Sequence, residues 1–185
     1  MRNIYVLVTR CGTAMSSLIH FATGDTYTHV SFAYDDSLES LCNFARLHRM
    51  FPFPGGLIRE EIWQGHFSKY RNVFCVLLSL AVPESVYRKI RCRVDEMLRE
   101  RSRYRYFYRG AVCCRLGMRS RRPDHYFCSQ FVAELLCSSG ALSLSKDPSL
   151  VRPQDFLQFP QFHRVYAGPI GGLYQILPVQ IQTTT

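Results

Sequence analysis

The sequence predicts a small α+β domain with an antiparallel sheet packed on helices, and three observations point there. Continuous apolar runs of strand length stand at residues 3–8 (NIYVLV) and 72–80 (NVFCVLLSL). Between them lies a stretch with the grammar of a hairpin. Two helical patterns and a late strand-like segment follow, so strands and helices are largely segregated rather than alternating one by one. At 185 residues, 47% hydrophobic and 14% aromatic, the chain has the size of one domain, 1–185, and enough apolar matter to bury a core.

Each element has its own reason. After the first strand, TAMSSLIHFATG reads as a short helix, with Met15, Leu18, Ile19 and Ala22 on one face and Gly24 as its stop. In THVSFAYDDSLESLCNFAR, Val30, Phe32 and Tyr34 alternate with His29, Ser31 and Ala33. Asp35, Asp36 and Ser37 supply turn chemistry, and Leu38 to Phe44 return. FPFPGGLIREEIW is a loop leading to a short segment, with Gly55 and Gly56 read as a plain turn. Pro83 and Glu84 open a helix that places Val86, Ile90, Val94, Met97 and Leu98 at helical spacing. RYRYFYRG is an aromatic and basic connector. Cys128–Ser139 is the next helix, closed by Gly140. VRPQDFLQFPQFHRVY is a loop and then a strand. Internal repeats and low-complexity linkers are absent.

The formal charge is +9, and 20 of the 23 basic residues are Arg, eleven of them between Arg91 and Arg122. Such a run is ordinarily a solvated helix face. It is also the one candidate for an anionic partner, although it matches no nucleic-acid motif. No apolar run reaches the roughly 18 residues of a membrane span, and the start of the chain does not read as a signal peptide. Most of the eight cysteines, among them Cys42, Cys75, Cys92 and Cys137, sit inside apolar patterns, and no CxxC pair occurs. The reading is a reducing cytoplasm, mostly buried free thiols, and no metal or cofactor.

Cys128 differs from the other cysteines by standing where a helix begins. Unpaired amide N–H groups and the positive dipole end favour a thiolate there, and the same N–H groups stabilise an oxyanion. A small buried cysteine is the ordinary alternative. A thiol nucleophile needs a base, and six histidines compete. His20 lies in a helical pattern, His48 and His66 in loops, His163 in the late strand, and His125 three residues before the thiol. His29 opens a strand after the turn-rich TGDTYT, where an imidazole is held rigidly.

YTHVSFAYDD followed far downstream by YFCSQFVAELL resembles the circularly permuted branch of the NlpC-type papain-like superfamily, which includes YiiX-like and lecithin:retinol acyltransferase-like proteins. In that branch the His strand precedes the Cys helix. The opening residues through SFAY and the later VRPQDF stretch are also similar. The resemblance spans roughly residues 4 to 168. It implies a permuted papain-like fold with Cys128 as nucleophile and His29 as base. The family's third, orienting residue is polar and lies about a dozen positions on, where this chain has Leu41. Asn43 shares the required strand parity, and Glu39 is the runner-up. The amides of Cys128 and Ser129 are the expected oxyanion donors. Tyr126 and Phe127, with the FPFPGG loop, are candidates to wall a pocket for an acyl or peptide substrate, or to be core.

The implied activity is attack by Cys128 on an amide, ester or thioester through an acyl-thioester intermediate. Water as acceptor makes a peptidase, amidase or thioesterase, and another acceptor makes an acyltransferase. Two other classes remain: an anion- or nucleic-acid-binding module using the arginines, and a scaffold with inert thiols.

Overall fold

The computed structural model describes residues 1–10, 25–35, 37–46, 55–62 and 71–175. The helix expected at 13–24, residues 51–54 of the FPFPGG loop, and His20, His48 and His66 lie outside them. Six strands, β1 (Arg2–Thr9), β2 (His29–Ala33), β3 (Leu41–Arg46), β4 (Gly55–Glu60), β5 (Phe74–Val82) and β8 (His163–Pro169), form one sheet in the order β4-β3-β2-β1-β5-β8. Every neighbouring pair is antiparallel. Two short strands, β6 (Arg105–Tyr106) and β7 (His125–Tyr126), pair in parallel beside it. The helices are α1 (Glu84–Arg99), α2 (Tyr108–Arg115) and α3 (Cys128–Ser139). The protein is therefore α+β, an antiparallel sheet packed against helices.

Strand alternation divides the core in two. Val6 and Val8 of β1, Val30 and Phe32 of β2, Phe44 of β3 and Leu78 of β5 meet Ile90 and Val94 of α1 and Phe131, Val132 and Leu136 of α3. The opposite residues Leu7, Ala33, Leu41, Cys75 and Leu77 pack with Ile170 and Leu173, from the 3-10 turn Ile170–Gln175. Gly140 ends α3 in the left-handed region, φ 83°, which glycine adopts without a Cβ penalty.

Four expectations change. The returning strand begins at Leu41, because Leu38 takes φ 53° in the bend. Gly55 and Gly56 are not a turn: they open β4 opposite Arg46 and Ala45. The 104–106 connector lies directly on them, so a Cβ on Gly56 would stand 2.8 Å from the Tyr104 carbonyl oxygen, and one on Gly55 2.8 Å from Tyr106 Cβ. That connector runs into α2, whose buried stripe is only Gly110 and Cys114 and so leaves little periodic signal. Cys42, Cys75, Cys114 and Cys128 are buried, but Cys92 is exposed, because it falls between the buried Ile90 and Val94 on the outer side of α1. All described cysteines are free thiols. No helix among the described residues is long and apolar enough to cross a membrane.

Candidate functional site

The approach to Cys128 is built residue by residue. Asp124 takes φ 59° and turns the chain, while its carboxylate accepts from Arg103 Nε at 2.8 Å. The next two residues lie parallel to Arg105 and Tyr106. The Asp124 and Tyr126 carbonyls accept from the Arg105 and Phe107 amides at 2.9 and 2.8 Å. Phe127 is extended, and Cys128 is the first residue of α3. No side chain caps this helix and no acidic residue stands in its first turn. Cys128, Ser129 and Gln130 are all buried, and neither Ser129 Oγ nor Gln130 Oε1 has a hydrogen-bond partner. The amide N–H groups of a buried helix start and the Ser129 hydroxyl are donors that stabilise developing negative charge, whereas Gln130 Oε1 is an acceptor and does not.

His29 opens β2 and pairs with Thr9, the last residue of β1. The β2–β3 register opposes Phe32 to Cys42 and Ala33 to Leu41. Continued towards His29, it opposes Ser31 to Asn43, and Asn43 Nδ2 indeed donates to Ser31 Oγ at 3.1 Å. Asn43 is fully buried and also donates to Glu60 Oε2 at 2.9 Å, while its Oδ1 has no partner. Asn43 thus lies one diagonal step from His29, on the same face by alternation. Glu39 is exposed in the bend beyond the other end of β2 and is not brought to His29.

The head of α3 lies near the same end of the sheet. Phe44, next to Asn43, packs 5.2 Å from both the Tyr126 and Phe131 rings, and α3 packs on β2 and β3. Alternation places His29 with Ser31 on the face away from α3. His29 is the first residue of β2 and so stands at the end of that strand.

The other expected residues divide. Tyr126 is half-buried in an aromatic cluster with Phe44, Tyr104 and Phe131, and Phe127 is buried core. A cleft beside Tyr126, lined by Arg93, Met97, Phe131 and Glu134, measures about 140 Å³, below the several hundred Å³ of typical ligand pockets. His125 Nδ1 lies 2.7 Å from the Pro123 carbonyl, so that nitrogen donates to the segment just before its own strand. His163 is exposed on β8. Among the described residues no group of His, Cys, Asp or Glu is arranged to hold a metal.

The sequence gives no sign of the buried charge cluster next to the thiol. Asp25, with its side chain 3% exposed, contacts Arg115 at the end of α2 and lies 3.5 Å from Arg152. Burial and the neighbouring Arg152 push the Arg115 guanidinium below its ordinary range, and the nearby Cys128 and Asp155 act against them. Asp155 accepts from the Arg152 amide at 2.6 Å and from Lys146 Nζ at 2.5 Å. The RPQDF stretch thereby acquires a chemistry: Pro153 starts a 3-10 turn, Asp155 fastens it, and Phe156 is core.

The arginine run also divides. On α1, Arg88, Arg91 and Arg93 pair with Glu84, Asp95 and Glu96. Residues 101–123 hold eight Arg and no acidic residue. There Arg109, Arg119 and Arg122 are exposed beside Val112, Leu116 and Met118, which are 60%, 66% and 50% exposed.

Fold and site together define a class no narrower than an α+β protein with a buried thiol at an uncapped helix start. No family model matches the chain, and no curated protein matches it.

Proposed function

We propose that the protein is a thiol hydrolase or acyltransferase of papain-like type, with Cys128 as nucleophile and His29 as base. One observation carries this reading: a buried cysteine heads an uncapped helix at the end of the sheet where a histidine opens the neighbouring strand. His29 takes the proton from the thiol, and sulfur attacks the carbonyl carbon of an amide, ester or thioester. The amides at the head of α3 hold the tetrahedral oxyanion, and the leaving group departs with a proton to give an acyl-thioester. Water or another nucleophile then releases the acyl group. Asn43 is the third residue of this reading, its free Oδ1 one diagonal step from the imidazole. The test is labelling with an acyl-type electrophile followed by mass mapping. The adduct is expected on Cys128 and is lost in His29→Ala. Adducts on Cys92, Cys113 and Cys137 with Cys128 spared would overturn the reading.

A second reading, binding to an anionic surface, is favoured by the acid-free, partly apolar face of α2. Binding to anionic vesicles that falls steeply with salt, and is lost in Arg109→Glu/Arg119→Glu, is its signature.

A further inference from the structure

Asp25 stands four residues before His29, in a segment whose sequence reads only as a turn, yet its side chain is 3% exposed. Arg115 reaches it from the end of α2, and Arg152 from the residue before the turn Pro153–Gln158. Both guanidinia belong to segments packed near α3: α2 and α3 each contact the turn Pro148–Leu150, and Cys114 Sγ lies 3.8 Å from the Val151 carbonyl oxygen. One carboxylate therefore joins the segment that delivers His29 to two segments packed near α3. Burying it carries a desolvation cost, and a well-packed apolar residue would often serve stability as well. That points to placement, not stability, as its use.

We propose that Asp25 is a positioning residue: by holding Arg115 and Arg152 it fixes the segment entering β2, so that His29 stands towards Cys128. The inference rests on the Cys128–His29 reading above. It has a sharp rival. Arg115 lies within electrostatic reach of the thiol, and Asp25 faces Arg115 and Arg152. If Asp25 merely neutralises the guanidinia, removing it strengthens the positive field and makes the thiolate easier to form. If it positions His29, removing it makes the thiolate harder to form. The two roles move the same measurement in opposite directions.

The measurement is the pH dependence of iodoacetamide labelling at Cys128, mapped by mass, with a thermal melt of each variant. Asp25→Asn is expected to slow labelling at pH 7 by about tenfold, one unit of upward midpoint shift. His29→Ala should do the same, and the double variant should add little. Asp25→Glu keeps the charge on a longer arm, so positioning predicts an intermediate midpoint and simple neutralisation predicts none; it also serves if Asp25→Asn does not fold. A downward shift in Asp25→Asn, or a lower melting temperature with an unchanged midpoint, would overturn the proposal while leaving the dyad standing. A silent His29→Ala would overturn the dyad and the positioning role together.

Discussion

Cys42 and Cys128 are almost equally shielded, 0% and 5% exposed, yet they occupy opposite settings. Cys42 is the second residue of β3, where burial pushes its thiol up to about 12 against a partial pull from Arg59. Cys75 is driven to about 12 by burial alone. Cys128 heads a helix with no capping side chain and has Arg115 in its surroundings. Depth below the surface therefore does not decide what a thiol can do; the dipoles and charges aimed at it decide.

The largest effect that would break this contrast is on turnover. With an acyl substrate, Cys128→Ala or His29→Ala is expected to lower kcat by at least about a thousandfold, the double variant scarcely further, because parts acting as one unit are not additive. His125→Ala should keep most activity, since its imidazole is held by Pro123. Labelling sharpens the same contrast. At pH 8 a thiol at about 12 is ionised roughly once in ten thousand molecules. Cys42 and Cys75 should therefore stay unmodified until the protein unfolds, while Cys128 reacts with a midpoint below about 8.5.

Packing under the site gives the next effect. Phe44→Ala removes a fully buried ring shared by Tyr126 and Phe131 and should cost about 3–5 kcal/mol in urea unfolding. Asn43→Ala strands Ser31 and Glu60, for about 1–3 kcal/mol. It should also slow acylation with Cys128 still in place, whereas Glu39→Ala should do neither. The smallest effect is alkaline. Because the Cys42 thiol is raised in the fold, its contribution is fully present below the unfolded value near 9 and is lost as pH rises from there towards 12. Thermal melts between pH 8 and 11 should fall less steeply in Cys42→Ala.

Continuous apolar runs made β1 and β5 legible, and helical spacing did so for α1 and α3. Gly140 marked the end of α3, and parity along the returning strand singled out Asn43, though not its partner Ser31. Other features left no such trace. Gly55 and Gly56 look like turn residues because their requirement for glycine comes from a connector about a quarter of the chain away. The α2 stripe is too narrow to show a period. Asp25 is an acidic residue in a polar stretch, and only its distant partners, Arg115 and Arg152, make it a buried one. Residue spacing reports what a segment does with itself; it does not report which remote segment will lie on it.

Open sheets carry a hazard at their margins, since a bare strand invites pairing with another chain. Here β4 has the 104–106 connector pressed onto Gly55 and Gly56. The other margin, β8, shifts register against β5 between Leu77 and Leu78, and starts with exposed His163 and Arg164. Both borders are thus guarded, one by a cover and one by irregularity and polarity. The same glycines that admit the cover make it fragile: a Gly56→Val chain would push the connector away, and the damage would surface as self-association.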